Sequence, residues 1–344
     1  MEFAYYKQEF IKAAISAGYS ELNIQRCLDY AEPLINKNLP VIYNTSHLSG
    51  LVGYKTKYLK RAVTYTSFYY NDYKILKKNK TYRIISEPLP SLKEIQVWIL
   101  ENILNEVKVS PYAKAYKQNV KLMENLKFHK KQAKVFTIDL KNFFPSITLD
   151  CVNEIFLNLG YSRLIANLLA KLCCKENCLP QGSPTSPYLS NIYMIKADEI
   201  IANYCLEKKI RYTRYADDLS FSGNFDENEL MNVVSSIIAE MNLEINYKKV
   251  KLMKQGSRQT VTGIVVNEKP QVVFHKRNEL RQTMYYIQKF GLEDHMKHQK
   301  ILQSNYLEHL LGKINFILQL NSSDKEFKGY KQYLNKLKQQ RELL

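Results

Sequence analysis

The 344-residue sequence contains no run of roughly 18 or more apolar residues, so no segment is fitted to cross a bilayer as a helix. Glycine and proline are scarce, at 11 and 10, and neither a low-complexity tract nor a solenoid-length repeat is present, which argues against collagen-like, linker-like and repeat architectures. The opening residues, MEFAYYKQEF, mix charged and aromatic side chains without the continuous apolar stretch of a signal peptide. A soluble, cytoplasmic protein with no membrane partner is expected. Six cysteines occur, three of them in LCCKENC as Cys173, Cys174 and Cys178. Their spacing fits no zinc pattern and no histidine is close in sequence, so free buried thiols are expected. Acidic side chains are in deficit: 33 Asp and Glu stand against 50 Lys and Arg, leaving a net charge of +17. That excess favours a polyanionic partner, nucleic acid first. The 26 tyrosines suit stacking on bases, although most belong to ordinary core and rim positions.

The length allows a sizeable core and two or three domains or subdomains. Residues 1–75 read as helical and tyrosine-rich, and 77–88 as a strand preceded by a basic turn. SLKEIQVWILENIL (91–104) reads as a helix with a Ser91–Glu94 capping box and an apolar face of Leu92, Ile95, Ile99 and Ile103. AKVFTIDL (133–140) is a short apolar strand ending in Asp139, and 148–160 a helix carrying Val152, Ile155, Phe156 and Leu159, closed by Gly160. The stiff LPQGSPTSP turn (179–187) opens a long helix with Tyr193, Ala197, Ile200, Ile201 and Tyr204 at helical spacing. A helix over 229–242, a strand over 258–267 and lysine-rich helices from 275 to the end follow. Interleaved strands and helices in the middle, with helices at both ends, make an α+β organisation.

RYTRYADDLSFSG (211–223) reads as two strands, RYTRYA and LSFS, separated by Asp217 and Asp218. Asp-Asp is a poor two-residue hairpin turn, because the favoured types need positive φ, which Gly or Asn supplies. Two like charges against an apolar hairpin also raise the energy unless a cation offsets them. A hard divalent ion such as Mg²⁺ is a natural offset, since it takes carboxylate and phosphate oxygens; a solvated acidic turn is the plain alternative. Asp139 ends an apolar strand, the position from which a carboxylate points out of a sheet into a site. Three carboxylates suit two metal ions about 3.5–4 Å apart, the chemistry of in-line phosphoryl or nucleotidyl transfer. With the basic charge, a nucleic-acid polymerase or nuclease is indicated.

Four segments, YRIISEP, VFTIDLKNFFPSI, LPQGSPTSPYLSN and YADDLSFS, occur in the order found in reverse transcriptases, and over about 140 residues the chain resembles that family. The resemblance implies an α+β right-hand polymerase with fingers, a palm of antiparallel sheet backed by helices, and a helical thumb. The division expected is 1–75 for a helical N-terminal or fingers extension, 76–267 for the catalytic core, and 268–344 for a basic, RNA-binding thumb. It further implies an RNA-directed DNA polymerase using two Mg²⁺ ions, with Asp139 and Asp217 binding the metals, Asp218 as third carboxylate and the Leu140 carbonyl as an extra ligand. Backbone amides around Asn142 and Phe143 would approach the triphosphate of an incoming dNTP. Phe144 matches the steric gate that excludes a ribose 2′-hydroxyl. Gln181 would line the nucleotide pocket, Gly182 would permit close backbone approach, and Arg83 would clamp the triphosphate with its guanidinium fork. Lys77, Lys78 and Lys80 are further candidates there. Lys249 matches the lysine beside the leaving pyrophosphate, with Lys248 leaving that register open by one position.

Further segments resemble the retron branch of the family. VTG (Val261, Thr262, Gly263) matches a retron signature after the palm. NLKFH (Asn125 to His129) stands where retron enzymes usually show Asn-Ala-x-x-His, with Leu126 departing from that pattern, and LLGKINFILQLN resembles the retron thumb. The resemblance implies a cognate structured noncoding RNA as template, priming from the 2′-hydroxyl of a guanosine in it, and a branched RNA–DNA product. It also implies antiphage defence with an effector, expected as a separate protein in trans. Expected RNA contacts are Asn125, His129, Val261, Thr262 and Gly263, and the thumb cations Lys276, Arg277, Arg281 and Lys313. The competing readings are a mobile-intron-like or other defence-associated reverse transcriptase extending a free 3′ end, and a catalytically silent RNA-binding scaffold. The intact carboxylate trio counts against the scaffold.

Overall fold

Residues 2–77 and 80–342 are described by the computed structural model. Four helices (Phe3–Ser16, Glu21–Asn36, Thr45–Val52, Thr56–Thr64) lead into an antiparallel hairpin of β1 (Tyr70–Leu76) and β2 (Tyr82–Pro88). Strand β1 corrects the helical expectation for 1–75. Nearly all of its residues are exposed, so it carries no buried period from which a strand is read, and its conformation is set by pairing with β2. The boundary expected between 75 and 76 therefore falls inside one strand.

The central sheet is built on β3 (Lys134–Lys141). Its neighbours are β4 (Arg211–Tyr215) and β5 (Asp218–Gly223) on one side, and β6 (Glu244–Ile245) and β7 (Lys251–Lys254) on the other, all antiparallel, with β4 outermost beyond β5. Strand alternation divides β3 into two faces. Phe136, Ile138 and Leu140 enter the main core, joined by Leu219 and Phe221 of β5. Val135, Thr137 and Asp139 lie on the other face. Behind the core face pack the helices Pro90–Asn102, Leu149–Leu159, Arg163–Cys173 and Ile195–Glu207, whose buried Leu, Ile and Phe side chains each contribute roughly 1.5–3 kcal/mol.

The apolar face expected for the first of these helices is buried as Leu92, Ile95, Ile99 and Ile103. Its capping box does not form. The helix starts at Pro90 with Leu89 as N-cap, so Ser91 is already inside the first turn, and Glu94 is bound by the Tyr54 hydroxyl instead. The helix at 149–159 is capped by Thr148 and ended by Gly160 at φ +113, as its sequence requires. The long helix after 187 is divided in two at Met194.

A three-stranded sheet follows, of β8 (Thr260–Val261), β9 (Ile264–Val265) and β10 (Gln271–Val272). It replaces the single strand expected over 258–267, because Thr262 and Gly263 both take positive φ (+48° and +78°) and reverse the chain. Four helices, Phe274–Phe290, Leu292–His298, Tyr306–Leu320 and Lys325–Glu342, complete the chain. Val261, Ile264 and Val272 share a second core with Leu280, Ile314 and Leu334, separate from the main one. The little sheet thus belongs to the C-terminal helices, and a boundary at 267/268 cuts it. The six cysteines are free, with Cys173, Cys174 and Cys205 buried.

Candidate active site

The hairpin of β4 and β5 does not turn on two aspartates. Tyr215 pairs with Asp218, so the turn is Ala216–Asp217, with Ala216 held at φ +59, and Asp218 belongs to strand β5. Asp218 in turn stands directly across from Asp139 of β3. The Leu140 N–H donates to the Asp217 carbonyl at 3.0 Å, fastening the turn to the end of β3. Asp139, Asp217 and Asp218, remote in sequence, therefore line one cleft of about 440 Å³ together with Tyr116, Lys249 and Thr262.

Electrostatics in the cleft are those of crowded carboxylates. Burial, with Asp217 and Asp139 adding to it, pushes the Asp218 carboxyl up to about 6. Asp217 is also raised, first by burial and then by Asp139, while Lys249 and Arg83 pull it back. Asp139 accepts hydrogen bonds from Asn246 Nδ2 (3.0 Å) and from the Lys249 ammonium (2.8 Å). Among the described residues, no group of three or more His, Cys, Asp or Glu side chains is arranged to hold a metal ion as it stands. The donor set nevertheless fits a hard divalent ion. It offers carboxylate oxygens alone, and an ion relieves the repulsion that burial imposes on them.

Around the carboxylates stand the nucleotide candidates. Lys249, not Lys248, faces the cleft and pairs with Asp139. Arg83, exposed on β2, is close enough to bias both Asp217 and Tyr116 electrostatically. Gly182 takes φ +130, and a Cβ there would lie 2.6 Å from the Ser86 carbonyl oxygen. The close approach this glycine permits is thus to β2, where the Ser86 N–H also donates to the Gln181 carbonyl at 2.7 Å. The QGSP turn thereby docks on the strand that carries Arg83. Asn142, left-handed at φ +48, begins the short helix Phe143–Ser146. Phe143 is buried in the core, so only its backbone remains for a ligand, whereas Phe144 is half-buried with its ring 6.2 Å from that of Tyr116. Lys77 and Lys80 are exposed, and Lys78 lies outside the described residues. Tyr116 and Asn246 were not singled out from the sequence; Asn246 stands three residues before Lys249, in the INYKKVK segment that carries that lysine, whereas Tyr116 sits in no motif or periodic pattern.

The expected RNA contacts divide. Asn125 and His129 are fully buried, and direct RNA contact is corrected for both. The two ring nitrogens of His129 bond Ser222 (2.8 Å) and Thr213 (2.7 Å), and the Thr213 hydroxyl donates to Asn125 Oδ1 at 2.5 Å, so the NLKFH helix is riveted onto β4 and β5. Val261 is buried as well, but the Thr262–Gly263 turn reaches the carboxylate cleft. Gly263 also borders a groove of about 340 Å³ lined by the exposed Lys276 and Lys313. Arg277 and Arg281 are held within the C-terminal helices, by Asp324 (2.7 Å) and by a two-pronged bond to Glu326 (2.7 and 2.8 Å), with both guanidiniums over the Phe327 ring. The Arg281 fork is taken up by Glu326, and Arg277 is held by Asp324.

Residues 75–281 match the profile of the family described as reverse transcriptase (RNA-dependent DNA polymerase). The chain belongs to the reverse transcriptases. Within that family it is similar to the retron Ec86 reverse transcriptase of Escherichia coli, 33% identical over 88% of this chain and 92% of that one. It is also similar to the retron Ec83 reverse transcriptase of the same organism (32%; 58% and 68%) and the retron Mx65 reverse transcriptase of Myxococcus xanthus (28%; 75% and 63%). This reverse transcriptase is thus of the retron branch, and an RNA-directed DNA polymerase. Among solved structures it is similar to telomerase from Candida albicans in complex with a telomeric RNA fragment (12% identity, TM-score 0.44, 77% of this chain and 54% of that one). A foamy viral protease-reverse transcriptase in complex with double-stranded DNA is also similar (17%, TM-score 0.41, 77% and 42%).

Proposed function

We propose that this cleft copies part of a cognate structured noncoding RNA into DNA, primed from a guanosine 2′-hydroxyl and leaving a branched RNA–DNA molecule. The observation that carries the catalytic part is the register that sets Asp139 opposite Asp218 with Asp217 in the adjoining turn. Two divalent ions, Mg²⁺ in the cell, held by those carboxylates and the Leu140 carbonyl, supply charge neutralisation at the attacking and leaving oxygens when bound. Arg83 grips the triphosphate with its fork. Lys249 leaves Asp139 to meet the departing pyrophosphate, and the backbone at Asn142 and Phe143 and the Gln181 side chain complete the pocket. Phe144, braced by Tyr116, closes the space a ribose 2′-hydroxyl needs.

In this reading the N-terminal helices with β1 and β2 are the fingers, the central sheet the palm, and the little sheet with the C-terminal helices the thumb. The RNA stem runs from the Thr262–Gly263 turn along the groove of Lys276 and Lys313, where lysines meet phosphates and 2′-hydroxyls of an A-form helix. The enzyme works in the cytoplasm, in antiphage defence, with an effector protein in trans. Branched priming is supported by the retron relatives. The purified chain, given its cognate RNA and dNTPs, is expected to yield DNA whose junction is cut by debranching enzyme. A product resistant to that enzyme returns the assignment to a free 3′ end.

A further inference from the structure

Arg214 has no solvent exposure, and neither do Asp198 and Asn191 around it. A guanidinium at that depth is costly unless its donors are paired. Here they are: Nε and Nη2 form two bonds to Asp198 (2.8 and 2.7 Å), and Nη1 donates to Asn191 Oδ1 (3.1 Å) and to the Ala216 carbonyl (3.0 Å). Asp198 also accepts from the Tyr212 hydroxyl (2.7 Å). Asn191 then turns its Nδ2 to the Ala115 carbonyl (2.9 Å).

The two carbonyls so held precede two residues that face each other over the catalytic cleft, Ala115 before Tyr116 and Ala216 before Asp217. Both loops are conformationally unusual: Tyr116 and Ala216 each have φ +59, a left-handed setting that side-chain-bearing residues rarely adopt. Such geometry persists only where the surroundings over-determine it. The backbone of Arg214 joins the same loops, since its N–H donates to the Tyr112 carbonyl (2.9 Å) and its carbonyl accepts from the Lys114 N–H (2.7 Å).

We propose that the buried Arg214–Asp198–Asn191 network is a positioning device that fixes the Tyr116 loop and the Asp217 turn relative to one another across the cleft. Resting on the polymerase reading above, it makes Arg214 a positioning residue that acts on catalysis from the core face of the sheet. An ion pair serving stability alone has no need to bond one loop carbonyl and, through Asn191, another; replacing such a pair by apolar side chains is often neutral for stability.

The test uses the full chain and two variants. The double variant Arg214→Met/Asp198→Leu leaves no lone buried charge, and Asn191→Ala keeps the ion pair while cutting the link to Ala115. Single-nucleotide extension and hydrogen–deuterium exchange are read on both, with template RNA binding as the folding control. Expected in the double variant is a kcat lower by roughly 10²-fold, a dNTP KM changed by much less, and RNA affinity retained. Exchange rises together in segments 112–117 and 214–219. Asn191→Ala is expected to raise exchange in the same two segments with a smaller kcat loss. A wild-type kcat in the double variant, a kcat loss matched by the unfolded fraction, or exchange that rises in one segment alone overturns the proposal. An inactive wild-type chain overturns the polymerase reading instead, and the exchange data still decide the network.

Discussion

Asp139 and Asp218 are cross-strand partners, like charges set directly opposite each other at the buried end of a sheet. Such a pair destabilises a strand ladder, and Asp139 adds, after burial and Asp217, to what raises the Asp218 carboxyl. The Lys249 ammonium offsets part of that charge through its bond to Asp139 (2.8 Å), and on the proposed metal reading a divalent ion would offset the rest.

Replacing Asp217 by Ala removes the carboxylate at the tip of the β4–β5 turn without disturbing either core. Primer extension is expected to fall by at least about 10³-fold, the scale of losing an essential catalytic group, while affinity for the cognate RNA in a gel-shift assay stays within a few-fold. Retained synthesis would refute the metal-site assignment.

Asp218 gives a pH test with a definite sign. Its carboxyl rises from an ordinary 3.8 to about 6 in the folded chain. The contribution to stability is therefore fully present below pH 3.8 and lost as pH rises through 6. At pH 7.5 without metal, Asp218→Asn should stabilise by on the order of 2 kcal/mol and raise Tm by a few degrees. At pH 3 the two proteins should melt alike. A variant less stable than wild type at pH 7.5 would show the carboxylate to be satisfied within the protein.

If Phe144 is the proposed steric gate, Phe144→Ala opens the space a ribose 2′-hydroxyl needs. Ribonucleotide incorporation relative to deoxynucleotide should rise at least about tenfold, a difference of about 1.4 kcal/mol, with dNTP use little changed. Competition between dNTP and rNTP on one primed template measures it, and an unaltered ratio removes the gate from Phe144.

Gly182→Ala puts a methyl group 2.6 Å from the Ser86 carbonyl oxygen at a φ that alanine resists. The QGSP turn and β2 must separate. The expected outcome is a dNTP KM raised several-fold or more through displacement of Arg83, and a lower Tm. Wild-type values for both would mean the two segments part without consequence.

His129→Ala should act on stability and not on RNA recognition. The substitution leaves Ser222 and Thr213 without their buried partner, a loss of about 1–3 kcal/mol. Burial holds the imidazole down at about 3, below its ordinary 6.5, so its stabilising contribution is present above pH 6.5 and is lost as pH falls towards 3. A lower Tm at pH 7 with unchanged RNA affinity of the folded fraction is expected; an intact Tm with weakened RNA binding would restore the contact role.

Much of the site was legible because its chemistry is written in short, contiguous segments. Asp139 closes an apolar strand, and YADD, LPQGSP and YRII each carry their side chains within a few residues, so local spacing and the family resemblance located them. The helix faces at 92–103 and 152–156 followed from a 3.6-residue period that core burial respects. Direct RNA contact is corrected for Asn125 and His129 of NLKFH and for Val261 of VTG, because a sequence motif does not say which way its side chains point. His129, Asn125 and Val261 turned inward, and only Thr262 and Gly263 reached the cleft.

By itself the sequence determined the trio of carboxylates, the basic charge that favours a polyanionic partner, and the α+β arrangement, since all three follow from residue type and local period. The tertiary structure alone decided the pairing of Asp139 with Asp218, the shift of the turn to Ala216–Asp217, the engagement of Arg277 and Arg281 with neighbouring helices, and the tie from Arg214 to Ala216 and, by way of Asn191, to Ala115. These are relations between residues distant along the chain. They are fixed by strand register and by the pairing of buried polar groups, neither of which has a period that a single sequence displays.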